Sequence, residues 1–260
     1  MRSHKGAVME DSKMDLHGSR LAAYFQRYFT EGEAPRVLSS DLTRFSIEGE
    51  ILTRLANSMD PARYFSRLAL RDEFIVLKWQ LRLKDELFRL TNAGVSINVH
   101  SSMVENGANR EKFLGAIAAS TAPATFEFTE SYAMPPVGVA NALLAEMRSM
   151  GHRTAMDDFG MGLNGMSLLT DYDFDIIKID RSLIADLPER SDKREVLALL
   201  HRMLEVLGKA HVVEGVETEI VHTILLEAGY SVFQGFLFHR PEPISETIKR
   251  AVREGPPTPG

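Results

Sequence analysis

The chain contains no cysteine, which excludes disulfide frameworks, thiolate metal centres and cysteine nucleophiles. Long apolar runs are also missing: nothing approaches the roughly 18 consecutive apolar residues of a membrane helix. The opening stretch, MRSHKGAVMEDSKMD, lacks the hydrophobic core of a signal peptide. Together these absences predict a cytoplasmic protein with no membrane segment. Basic blocks and basic-aromatic interleaving are absent as well, and the formal net charge is −6, which argues against a partner such as a nucleic-acid polymer. The single tryptophan, Trp79, lies in a long amphipathic stretch and reads as packing.

What remains is a chain of 260 residues with 44% hydrophobic and 25% charged content, enough for one large α/β core. A rhythm of short apolar strands, each closing on a polar residue, runs from 95–98 through 124–127, 153–157, 176–178 and 212–214 to 232–234. Helical patterns follow at about 110–119, 136–150, 192–209, 218–228 and 245–253. Strands alternating with helices pair in parallel through right-handed crossovers. Two earlier strands, 36–40 and 45–55, are joined by a turn around Asp41 without a helix. They complete a TIM-like barrel of eight strands.

Helices are predicted over 61–68 and 72–91, the second stopped by Gly94. Near the N-terminus, Leu21, Tyr24, Phe25, Tyr28 and Phe29 recur at helical spacing. They predict a helix over 16–30 whose aromatic stripe serves core or dimer packing. The expected organisation is therefore a leader and helix over 1–34, a barrel over 35–254 and a flexible tail, GPPTPG, over 255–260.

Glu50, Asn98, Glu127, Asp157, Asp158, Lys178, Glu214 and Gln234 lie at or near predicted strand ends. In a parallel barrel those ends converge on one face, where active sites are found. Crowded carboxylates repel and take up protons unless cations neutralise them. Oxygen donors favour hard ions such as Mg²⁺, Mn²⁺ or Ca²⁺, and His152, His211 and His239 stand beside the strand ends rather than on them. Taken singly the residues allow plainer readings. Asp157-Asp158 could be a solvated turn, Glu50 an outward charge on an edge strand, and Lys178 a snorkelling side chain. A strand-borne lysine also admits Schiff-base chemistry, although one among carboxylates stays protonated.

Several stretches carry a resemblance: DDFGMGLNGMSLL followed by DIIKID, with EILTRL, SINVHSS, FEFTES, VVEGVET and QGFLFHRP around them. Over about 36–245 the sequence resembles the EAL domain, the bacterial family of phosphodiesterases that linearise cyclic di-GMP. The resemblance implies a metal-dependent phosphodiesterase that converts cyclic di-GMP to pGpG by a metal-activated water. It also implies two ions, Mg²⁺ or Mn²⁺, with Ca²⁺ inhibitory, and it is compatible with a homodimer.

Carried over by motif, the metal ligands would be Glu50, Asn98, Glu127, Asp157, Asp158 and Glu214. Lys178 would stand by the attacking water, with Glu214 as an alternative base. Leu52, Arg54, Gln234 and Glu217 would line the substrate, and Glu130 would brace the loop after Asp158. Departures are Ile51 and Leu55 within EILTRL, a shortened connection from Arg54 to Asp60-Pro61, and Met161, Leu163, Asn164 and Gly165 in the loop after Asp158. They support the alternative of a weak or inactive EAL-type receptor for cyclic di-GMP, or a protein-binding regulator.

Overall fold

A two-residue turn lies near the start of the described chain. His17 and Gly18 both take positive φ, 49° and 79°, the pattern of the tight hairpin turns whose twist matches paired strands. They join β1 (Lys13–Leu16) to β2 (Ser19–Arg27), and β3 (Phe29–Thr30) follows after Tyr28. The helix expected over 16–30 is therefore a correction. Leu21, Ala23 and Phe25 are buried on one strand face, so period two prevails over the apparent helical spacing. Aromatic residues suit strands better than helices, and the turn at His17-Gly18 fixes the hairpin.

The structure, a computed structural model, describes residues 12–31, 47–55, 64–129, 134–161 and 166–254. The predicted strand at 36–40, the turn at Asp41, the first three residues of the helix at 61–68, Glu130 and the 255–260 tail lie outside these residues. Next along the chain come β4 (Ile47–Leu55), α1 (Leu70–Thr91), β5 (Gly94–Val99) and α2 (Gly107–Ala118). The chain continues with β6 (Thr125–Thr129), α3 (Val137–Ser149), β7 (Arg153–Phe159), α4 (Met166–Asp171) and β8 (Ile176–Ile179). It ends with α5 (Arg181–Ile184), α6 (Ser191–Val206), β9 (Ala210–Val213), α7 (Glu219–Glu227), β10 (Val232–Phe233), β11 (Glu242–Pro243) and α8 (Ile244–Glu254). Helix α1 stops at Asn92 in the left-handed conformation, φ 58°, not at Gly94, which instead opens β5.

Strands β4 to β10 pair in sequence order and in parallel. The run 19–30 closes the circle, because β2 pairs antiparallel with β4 and β3 pairs antiparallel with β10. The fold is thus a TIM-like barrel whose first stave, residues 19–30, runs against the others and is part of the barrel rather than a leader. Gly49 permits that closure: a Cβ there would stand 2.2 Å from the Gln26 carbonyl oxygen.

The main apolar core lies between the outer barrel face and the helices, around Phe113, Phe126, Leu144, Ile177 and Phe233. A second cluster, with Trp79, Leu21, Phe25 and Ile51, seats α1 on the N-terminal strands, which agrees with the packing role expected of Trp79. Inside the barrel, Ala155, Ile176, Ala210, Val212 and Val232 form a small apolar floor with Tyr28 and Phe88 against it. No helix among the described residues is long and apolar enough to cross a membrane.

Candidate active site

Above that floor the lumen changes character. Lys178 stands two residues beyond Ile176 on β8, so it points to the same interior face, and it is 2% exposed. Its Nζ lies 2.7 Å from Glu127 Oε2, 2.7 Å from Glu214 Oε1, 3.0 Å from Asp157 Oδ1 and 3.4 Å from Glu50 Oε2. Asn98 donates to Glu50 Oε1 at 2.6 Å, and Gln234 donates to Glu50 Oε2 at 3.1 Å. The residues expected from strand ends thus come together at one mouth, although Glu50 lies within β4 rather than at its end.

Two successive aspartates facing one site require a local irregularity, because neighbouring strand residues point to opposite faces. The β7–β8 register shifts between Met156 and Phe159, and Asp158 takes φ 57°. A bulge of this kind re-aims a side chain, and aspartate tolerates the left-handed region better than most residues. As a result Asp157, Asp158 and Glu214 each offer an oxygen within 4.8 Å of the others.

One ammonium faces four carboxylates here, so the acids are under-compensated. Burial first, offset by Lys178 and reinforced by Glu50 and Asp157, pushes Glu127 up to about 8. Burial and then Asp157 raise Asp158 to about 6. Burial likewise raises Asp157 and Glu214 against the pull of Lys178. For Lys178 itself burial opposes charge, but Asp157, Glu127, Glu214 and Glu50 outweigh it and hold its pKa above that of an ordinary lysine. A lysine so firmly protonated is not a Schiff-base nucleophile. Among the described residues Asp157 Oδ1 is buried with the Lys178 ammonium, 3.0 Å away, as its neighbouring charge and no further hydrogen-bond partner. Excess buried negative charge, shared among four carboxylates and one ammonium, and an all-oxygen donor set fit hard divalent cations.

Two cavities open at this mouth. One of about 540 Å³ is lined by Leu52, Thr53, Asn98, His100 and Asp158, and one of about 330 Å³ by Lys178, Arg181, Glu214, Glu217 and Gln234. Glu50, Leu52 and Asp157 belong to both, so they form the wall where the lobes meet. Arg54 shares a strand face with Glu50 and Leu52 but lines neither lobe; its guanidinium lies 5.7 Å from the ring centre of Tyr24.

The family-model comparison settles the kinship: residues 41–241 match the EAL domain. The chain belongs to the EAL-domain family. Relatives of this EAL domain include the cyclic di-GMP phosphodiesterase RocR of Pseudomonas aeruginosa, 32% identical over 152 residues, 57% of this chain and 39% of RocR. Another is the cyclic di-GMP phosphodiesterase PdeF of Escherichia coli, 31% identical over 123 residues, 47% of this chain and 16% of PdeF. The chain thus spans well under half the length of these curated relatives. Among solved structures, BlrP1 of Klebsiella pneumoniae in a manganese and cyclic di-GMP complex superposes with a TM-score of 0.69 at 26% identity, covering 88% of this chain and 58% of BlrP1. The FimX EAL domain, at TM-score 0.72 and 21% identity over 92% of this chain and 94% of that one, supports the fold.

Sequence reasoning missed contributors from the N-terminal stave. Tyr28 donates to Glu127 Oε1 at 2.9 Å with Ser96 Oγ 3.2 Å away, and Gln26 accepts from Gln234 at 3.3 Å. The alternation of Leu21, Ala23 and Phe25, read at period two, is the signal that would have placed them on a strand.

Proposed function

We propose that this EAL domain is a phosphodiesterase that opens cyclic di-GMP to linear pGpG. The observation that carries the reading is the Asp157, Asp158 and Glu214 carboxylate group beside Lys178, set on the wall between two lobes. A cyclic dinucleotide has two like halves joined by phosphodiesters, and a two-lobed cleft suits one half per lobe with a diester over the shared wall. Names of relatives that report the same activity and ligand support the choice.

Held by Asp157, Asp158 and Glu214, with Glu50, Asn98 and Glu127 in reserve or in a second site, Mg²⁺ or Mn²⁺ would polarise the diester and make a water more acidic. The remaining work falls to the chain. Water adds to phosphorus as it gives up a proton, the bond to the ribose 3′ oxygen breaks, and that oxygen leaves and takes a proton from solvent. Lys178, kept charged by its acids, donates toward the negative charge developing at phosphorus, a preorganised role. Glu214 is the most exposed acid on Lys178, with 18% of its side chain accessible, which supports it as the carboxylate that takes the water's proton. Tyr28 and Lys178 pin Glu127 from two sides. Leu52, Glu217 and Gln234 shape the lobes.

Incubation with cyclic di-GMP and Mg²⁺ or Mn²⁺ should yield pGpG, cease in EDTA and resume when metal is restored. Ca²⁺, larger and tolerant of looser geometry, should support binding better than turnover. A receptor reading draws on one observation, the placement of Arg54 outside both lobes. Tight binding of cyclic di-GMP with no pGpG in any metal would favour it.

A further inference from the structure

On the outer side of the barrel, away from the mouth, a different donor set comes together. His201, Glu205 and His211 each offer a ligand atom within 4.8 Å of the others. His201 and Glu205 stand four residues apart on α6 and so share one helix face. His211 lies on β9 between Ala210 and Val212, both in the lumen floor, so its side chain points the other way, toward the helix layer. It is 7% exposed.

The surroundings fix these rings. His211 Nδ1 lies 3.2 Å from the Lys209 carbonyl oxygen, which can only accept, so Nδ1 carries the proton and Nε2 keeps its lone pair. Hydrogen bonding of one ring nitrogen to a backbone carbonyl is how proteins orient a histidine for a metal. Tyr230 packs edge-on to both rings, with centroids 5.1 Å from His201 and 5.3 Å from His211, and its hydroxyl is anchored on the Leu197 carbonyl at 2.8 Å. Gly229 leaves room for the His201 ring, because a Cβ there would stand 2.6 Å from its Cε1.

We propose that His201, Glu205 and His211 form a second cation site, for a zinc-class ion, that ties α6 to β9. Two imidazoles and one carboxylate are a three-ligand zinc set with one coordination position left open. Such donors prefer Zn²⁺, Ni²⁺ or Cu²⁺ to the hard ions suited to the mouth. Tetrahedral ligands roughly 2.0–2.1 Å from zinc sit about 3.4 Å apart. Exposed Glu205 is free to swing in by that margin. Glu214 follows His211 by three residues on the same chain segment, so an ion here stiffens the strand that carries an acid of the mouth. The site is independent of the activity proposed above.

The test uses metal-stripped protein and two probes, Co²⁺ and Zn²⁺. Co²⁺ bound by two imidazoles and a carboxylate gives a stronger visible spectrum than six-coordinate Co²⁺ on oxygen alone, and Zn²⁺ should displace it. The spectrum and one calorimetric Zn²⁺ site should persist in Asp157→Asn, which disables the mouth. Glu205→Gln, at an exposed position that does not threaten folding, and His201→Gln should each weaken that site by roughly 100-fold or more, the upper end of what loss of even an outer partner does. Zn²⁺ should raise the melting temperature of the wild type but not of Glu205→Gln. Unchanged Zn²⁺ affinity in both variants, or a Co²⁺ spectrum lost only in Asp157→Asn, overturns the proposal.

Discussion

The same strands build two interior layers of opposite character. Near their starts, Ala155, Ile176, Ala210, Val212 and Val232 make a dry floor. One pleat further on, Asp157 and Lys178 extend from the same two strands, β7 and β8, into a layer of charge. Tyr28 stands at the boundary, its ring against the floor and its hydroxyl on Glu127. Barrel interiors are packed in layers, and the difference teaches how work is divided between them. The floor excludes water from beneath and stabilises the barrel by burial. Above it, the acid layer stores unfavourable charge that Lys178 and the hydrogen bonds from Asn98, Gln234 and Tyr28 relieve in part, and a water-poor floor makes each of those interactions stronger. Changes in the upper layer should therefore strike chemistry first, and changes in the lower layer stability first.

The largest effect is expected from Asp157→Asn. It removes charge from the acid that belongs to both lobes and to the carboxylate group, with little change in shape. Formation of pGpG should fall to background, and Mg²⁺ or Mn²⁺ affinity at the mouth should drop in calorimetry. Residual turnover near that of the wild type would remove Asp157 from the metal site.

Lys178→Met comes next. The acids remain, so bound metal should survive while kcat falls by ~10²-fold or more, the scale for losing one preorganised donor. Stability should respond too, since removing the cation from a buried ion-pair cluster costs about 3–5 kcal/mol. Added divalent metal should recover part of that loss in thermal melts. Loss of metal from this variant, or an unchanged kcat, would mean that Lys178 serves only to hold the acids.

Ile176→Ala probes the layer below and should invert the pattern. A large-to-small change at this 2% exposed position should cost roughly 2–5 kcal/mol, lowering the melting temperature by ~5–15 °C for a domain of this size. Below that transition, kcat should stay within about twofold of the wild type. A collapse of kcat without a loss of stability would show that the two layers are not separable.

Much of this division was legible in the sequence. The βα rhythm after Gly94 named the parallel staves, and polar residues closing apolar strands named the mouth. Two features were not legible, for physical reasons. Residues 19–30 hold an apolar pattern compatible with either period, and only pairing to β4 and β10 decides between them. That misreading also hid Gln26 and Tyr28. The second is the bulge at Asp157-Asp158: sequence shows two adjacent acids, but their common aim depends on the φ of 57° at Asp158 and a register shift. The His201, Glu205 and His211 group joins a helix to a strand end, a proximity no local spacing reveals.

The smallest effect should come from Arg54, where motif and geometry part company. By motif this arginine meets a substrate phosphate, and a charge-assisted hydrogen bond of that kind is worth ~1.5–3 kcal/mol. In the structure it is an exposed residue at the far end of β4, over the face of Tyr24 and outside both lobes. An exposed cation over an aromatic ring contributes only about 0.5–1 kcal/mol, and to stability rather than to binding. Arg54→Ala should therefore change cyclic di-GMP affinity in Ca²⁺ by less than about threefold, with metal content unchanged. Arg54→Lys provides the sharper contrast, because an ammonium lacks the planar fork that engages two phosphate oxygens. If calorimetry finds Arg54→Ala weakened more than tenfold and Arg54→Lys restoring only part, the side chain swings from Tyr24 onto the ligand. The upper layer would then extend to the end of β4, and the boundary between chemistry and scaffold would lie further out than Leu52.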